Sequence, residues 1–250
     1  MKLKSVPTQR TRLIFSLLLS LLLSLSLTGH AVAETYQPAT FGNTLEYIEQ
    51  AVTQPALTDD LPVASVYCQA DVAIDGMTSN LHCYEKDGFD RLREQTAAAL
   101  SGRVFTPARV DGIEVPVRMH LRVVYARLDG QPPVLLLPNL GNMQSQFGHS
   151  YSAPQERLDQ PQWYEAYSAH DWSDGHVFFS NEAGLTRVLA MVSEEGKTLA
   201  VRRIEAHGHH KRDAVEIEKA LKNSRFIPGF ANGKPERMQY VAVLHYTPEE

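Results

Sequence analysis

The chain has 250 residues, with 24 Lys and Arg against 29 Asp and Glu, and a formal net charge of −5. That length allows one large domain or two small ones. The acidic balance argues against nucleic acid and anionic lipid as bulk partners, because like charges repel phosphate.

Residues 1–33 read as a secretory signal peptide. Lys2, Lys4, Arg10 and Arg12 make a basic start, and Leu13 to Leu27 is an apolar run interrupted by serines. Ala31-Val32-Ala33 then offers the small residues that a signal peptidase reads, so cleavage is expected before Glu34. The mature protein is expected in the periplasm, with no stable membrane insertion. The alternative is an uncleaved anchor. The run is 15 residues long, whereas a spanning helix needs about 20. No cysteine follows the run, which argues against a lipoprotein anchor. Cleavage removes four positive charges and takes the net charge from −5 to −9.

A lead segment, 34–61, precedes the first structured unit at 62–126. Cys68 and Cys83 flank Asp75-Gly76, a preferred two-residue hairpin turn. Pairing centred on that turn puts the two cysteines opposite each other, within disulfide range. One disulfide suits an exported protein; two free buried thiols are the alternative. Val72, Ala70, Ile74, Met77 and Leu81 fall on one largely apolar face of this hairpin. A helix is expected next, with Phe89, Leu92, Thr96 and Leu100 on one face.

The clearest signal is internal similarity. "ALSGRVFTPARVDGIEVPVRMHLRVVY", residues 99–125, aligns without a gap on "ALKNSRFIPGFANGKPERMQYVAVLHY", residues 220–246, at an offset of 121. Phe105-x-Pro107 matches Phe226-x-Pro228, Gly112 matches Gly233, and Tyr125 matches Tyr246. Upstream, Glu195-Gly196 is the counterpart of Asp75-Gly76. Its hairpin pairs Val192 with Leu199 and Ala190 with Val201, and a helix with Ala214, Ile217 and Leu221 on one face follows. The reading is α+β, two β-β-α-β repeats at 62–126 and 185–250, joined by a connecting segment at 127–184.

The connecting segment carries Trp163, Tyr164, Tyr167 and Trp172. Such residues are favoured at binding surfaces, although large aromatics more often cap a core. It also holds His170, Asp171, Asp174 and His176, a possible metal cluster. A second histidine group, His207, His209 and His210, lies between the second strand and the helix of the second repeat. Gly208 makes the bend there and Asp213 is placed to cap the helix. His-x-His on a loop binds copper or nickel weakly. A zinc site wants three or four converging ligands, and the matching loop of the first repeat keeps only His82 and Cys83. A solvated loop is the favoured reading, with no metal and no other cofactor.

The β-β-α-β unit, the x-Gly turn, Gly208 with Asp213 at the helix start and the "F-x-P…G" segment resemble the C-terminal domain of TonB, the energy transducer of Gram-negative bacteria. The resemblance covers about 185–247, and 62–126 less closely. It implies that an extended peptide from a partner, such as an outer-membrane receptor, is added to a sheet edge. The first repeat departs at the helix start and adds the cysteine pair.

There is no G-x-S-x-G, H-E-x-x-H or P-loop, so no enzyme activity is expected. The expectation is a periplasmic binding or adaptor protein with a protein or peptide partner. The candidate partner-binding residues are Tyr240, Ala242, Leu244 and Tyr246 on the last strand and Trp163 and Tyr164 in the connecting segment. The alternatives are a metal-binding periplasmic protein or enzyme using the His/Asp clusters, and an anchored TonB-type transducer. Intact-mass measurement of the exported protein is expected to find Glu34 at its N-terminus; a full-length chain held at the inner membrane would contradict this.

Overall fold

The computed structural model describes residues 34–42, 48, 52, 57, 62–85, 88–102, 105–126, 134–137, 143–148, 151–160, 177–179, 184–205 and 211–247. The leader, the histidine loop 207–210 and the aromatic and His/Asp residues at 163–176 lie outside these residues. The elements run β1 (Tyr36–Gln37), β2 (Val63–Val72), β3 (Thr78–Tyr84), α1 (Asp90–Leu100), β4 (Ala108–Val110), β5 (Ile113–Val115) and β6 (Val117–Ala126). The connecting region supplies β7 (Val134–Leu137), α2 (Gln144–Phe147), β8 (Tyr151–Ser152), β9 (Gln155–Arg157) and β10 (Val177–Phe179). Then follow β11 (Gly184–Val192), β12 (Thr198–Glu205), α3 (Lys211–Leu221), β13 (Phe226–Ile227), β14 (Gly229–Ala231), β15 (Lys234–Glu236) and β16 (Met238–Thr247). The class is α+β, with strand predominant.

The long strands β2 and β6 pair antiparallel from Val63↔Ala126 to Val72↔Val117. Period-two alternation sends Ala64, Val66, Cys68 and Val72 to one face, with Val117, Met119, Leu121, Val123 and Tyr125 beside them. That face packs on Leu92, Ala99 and Leu100 of α1. The Tyr125 hydroxyl meets Thr96 Oγ1 at 2.7 Å, so this buried polar pair is satisfied. Burial pushes the Tyr125 phenol up to about 12, although Thr96 works the other way. In the second half Val188, Ala190 and Val192 of β11, with Tyr240 and Ala242 of β16, pack on Ala214, Ile217 and Leu221 of α3.

Both hairpin tips differ from the expected two-residue turn, and in the same way. Gly76 N–H donates to the Ala73 carbonyl and Ala73 N–H to Met77; Gly196 N–H donates to Ser193 and Ser193 N–H to Lys197. Each loop therefore has three residues, with its glycine at φ 79° or 67°, the left-handed conformation that favours glycine. The extra residue is absorbed by a register shift between Gln69 and Asp71 and between Met191 and Val192. Beyond the shift the expected pairing returns: Cys68 faces Cys83 and Ala190 faces Val201. Val192 faces Thr198, not Leu199. Ile74 and Met77 ride on the tip and are exposed, so they leave the apolar face. Asp213 is the third residue of α3, which starts at Lys211, and is not its N-cap.

Each tip is tied to the segment just past its helix. Phe105 N–H donates to the Gly76 carbonyl, and Phe226 N–H to that of Gly196. Thr78 Oγ1 donates to the Leu100 carbonyl at 2.9 Å and Thr198 Oγ1 to that of Leu221 at 2.7 Å. These take up carbonyls that a helix C-terminus leaves without partners.

Short strands outside the expected units complete the sheets. β1 pairs with β4, Tyr36↔Val110, and β8 with β14, Tyr151↔Ala231. The sheet of the first unit runs β13-β9-β6-β2-β3, with β7 also on β6; that of the second runs β10-β16-β11-β12. β9 is thus shared, bonded to β6 on one side and to β13 on the other.

Cys68 and Cys83 form a disulfide with Cα atoms 4.1 Å apart. Replacing both by Ser is expected to lower stability in urea by about 3 kcal/mol, the chain-entropy value for a loop of about 15 residues. An unchanged midpoint would mean that the bond contributes nothing.

Candidate functional site

The face of β2 and β6 turned away from α1 carries polar residues in register. Asp71 is opposite Arg118, and Gln69 is opposite His120. Alternation alone would place them in water, yet Arg118 is 1% exposed, Asp71 4%, His120 7% and Gln69 8%. Their charges and dipoles therefore need internal partners. Arg118 donates through Nε to Asp71 Oδ1 at 2.8 Å and through Nη2 to Oδ2 at 3.1 Å. Asn80 Nδ2 donates to Asp71 Oδ2 at 3.0 Å. His120 Nε2 lies 2.8 Å from Gln69 Oε1.

The connecting strand and the second half close this cluster. Glu156 of β9 is 2% exposed, and its Oε2 lies 3.9 Å from Arg118 Nη1. Ser224 Oγ donates to its Oε1 at 2.8 Å and the Tyr240 hydroxyl to its Oε2 at 3.1 Å. The Tyr240 ring sits 5.2 Å from that of His120 and edge-on to Phe226 at 4.9 Å. Burial works against charge on Arg118, but Asp71 and then Glu156 outweigh it and hold the guanidinium above its ordinary range. Burial, with Arg118 nearby, pushes His120 down to about 3, so it is neutral at ordinary pH. Burial and the Glu156 carboxylate raise the Tyr240 phenol well above its usual value. Among the described residues the donors and acceptors of this cluster face one another, and they link β2 and β6 to β9 and β16.

The expected partner-binding residues divide. Tyr240 and Ala242 are 2% exposed, inside the second core. Leu244 and Tyr246 lie on β16 opposite Thr186 and Gly184 of β11. Trp163 and Tyr164 lie outside the described residues, as do His207, His209, His210, His170, Asp171, Asp174 and His176. Among the described residues no group of three His, Cys, Asp or Glu is placed to hold a metal. His82 pairs with Gln69 across the hairpin, and its neighbour Cys83 is in the disulfide. Sequence reasoning passed over Asp71, Arg118 and Glu156. Asp71 and Arg118 show only a charge at a strand position, which ordinarily means a solvated face, and Glu156 lies on a strand too short to be read.

Among the described residues the last strand is paired unequally on its two sides. β16 pairs with β11 from Met238 to Tyr246 on one side. On the other, β10 reaches only His245 to Thr247. No described strand pairs with Met238–Leu244 there. The matching edge of β6 is taken by β9 at Val117 and Arg118 and by β7 at Arg122–Tyr125.

The chain matches no protein-family model, no curated protein and no solved structure. Among the described residues no helix is long and apolar enough to cross a membrane.

Arg118→Met takes the guanidinium away from two buried carboxylates, Asp71 and Glu156, and is expected to cost about 3–5 kcal/mol in urea unfolding. Adding Asp71→Leu is expected to restore part of that loss. A single variant as stable as wild type would show that the pair carries no stability.

Proposed function

We propose that this is an exported periplasmic adaptor made of two copies of one unit related to the TonB C-terminal domain, and that it takes an extended peptide as an added strand on β16. The observation that carries the reading is the edge at Met238–Leu244. The same chain already fills the corresponding edge of β6 with its own β7 and β9. Main-chain bonding at such an edge needs no exposed side chain from the host strand, so the burial of Tyr240 and Ala242 is compatible with it. The duplicated element order, the two matching hairpin tips and the matching threonine and phenylalanine bonds support descent from one unit. The leader sequence at 1–33 and the disulfide support export.

Hydrogen exchange tests the edge. In the isolated protein, alternate amides of Met238–Leu244, those directed away from β11, are expected to exchange about tenfold or more faster than their neighbours. Eight-residue peptides selected by display on the folded protein are expected to slow those amides. Slow exchange at the edge before any peptide is added, or protection confined to other strands, would sink the reading.

A further inference from the structure

The pairing of β6 has a break. β9 covers Val117 and Arg118, β7 covers Arg122 to Tyr125, and no described strand pairs with Met119, His120 and Leu121 on that side. A cavity of about 270 Å³ lies here, lined by Met119, His120, Phe41, Leu136, Tyr151 and Ala153 among others. One wall is fixed by Gln155, whose carboxamide accepts from Ala39 N–H and donates to the Ala39 carbonyl, both at 2.8 Å.

Two features define what the cavity can take. Its described lining contains no carboxylate, ammonium or guanidinium. His120 is kept neutral by its burial beside Arg118, and burial pushes the Tyr151 phenol up to about 12, so that it too is uncharged. A charged ligand would lose its hydration without gaining a counter-ion. The second feature is His120 itself, 7% exposed. Its Nε2 faces Gln69 Oε1. That oxygen accepts, so Nε2 carries the proton and Nδ1 is left as an acceptor. The described residues offer Nδ1 no hydrogen bond.

We propose that this cavity is a binding site for a small neutral molecule with an apolar, ring-sized body and one hydroxyl or amide donor, the donor bonding to His120 Nδ1. Met119 and His120 point to opposite faces of β6, so the molecule sits in the break of the pairing. Its apolar body rests on Met119, Phe41 and Leu136, and its donor reaches past the strand edge there to His120. No residue of β16 is in the described lining, and the proposal stands whether or not a peptide binds that strand.

The test uses the intact mature protein with four probes of one shape: benzyl alcohol, toluene, benzoate and benzylammonium. The readouts are the Met119 methyl signal and the His120 Nδ1 nitrogen signal in NMR titrations. Benzyl alcohol is expected to shift both saturably, and to bind more tightly than toluene and about tenfold or more tightly than either ion. Ala153→Phe, which fills the cavity, is expected to abolish the response in a protein that still melts cooperatively, at a somewhat lower temperature because Ala153 is buried. If that variant does not fold, the ranking of the four probes on wild type decides alone. No response to benzyl alcohol, equal response to all four probes, or an unchanged response in a folded Ala153→Phe would overturn the proposal. So would a response confined to display-selected peptides, which would make the cavity a side-chain pocket of a peptide site.

Discussion

Glu156 is the carboxylate on which the two halves close. Its backbone lies between Arg118 and Phe226, one from each half. Its side chain takes hydrogen bonds from Ser224 and Tyr240 and faces Arg118. A carboxylate in so dry a place costs several kcal/mol unless its lone pairs are occupied. The surrounding donors therefore fix the register of β9. A slip of one residue would turn every side chain of the strand to the opposite face. Gln155 would then lose both bonds to Ala39, and Arg157 or Gln155 would enter the space of Glu156. Three residues are enough to pin the seam because each of the first two has partners that no neighbour can satisfy.

The two hairpin tips show a second constraint, local and used twice. A glycine in the left-handed conformation turns the chain, and its carbonyl then accepts an amide from the segment beyond the helix. The threonine just past the glycine holds a carbonyl at the end of the helix. Hairpin tip, helix end and the segment beyond are thus one mechanical unit. At Gly196 the approach is so close that a Cβ would run into the Phe226 carbonyl.

Local features were the legible ones in the sequence. The alternation of β2 and β6, the 3.6-residue faces of α1 and α3 and the cysteine pairing each follow from a period or a turn. The tips were misread by one residue because Asp-Gly and Glu-Gly fit a two-residue turn as well as a three-residue one. The bulges that restore register leave no mark in composition. β1, β8, β9 and β13 were not legible, since a strand of two or three residues has no period to show. The buried charges were hidden for a different reason. Asp71 and Arg118 alternate with apolar residues just as solvated positions do, and Glu156 and Tyr240, which lie against Arg118, arrive from distant parts of the chain.

The pairing of β1 with β4 and of β8 with β14 also sets a timetable. Tyr36 waits for Val110, and Tyr151 for Ala231, each more than 70 residues further along. Contacts this distant in sequence form slowly, because the loop must close before the pairing repays it. Each lead strand is thus among the first parts of its half to leave the ribosome and among the last to be secured. The first half can therefore close once β4 has been made, whereas β8 stays unsecured until β14 exists near the end of the chain.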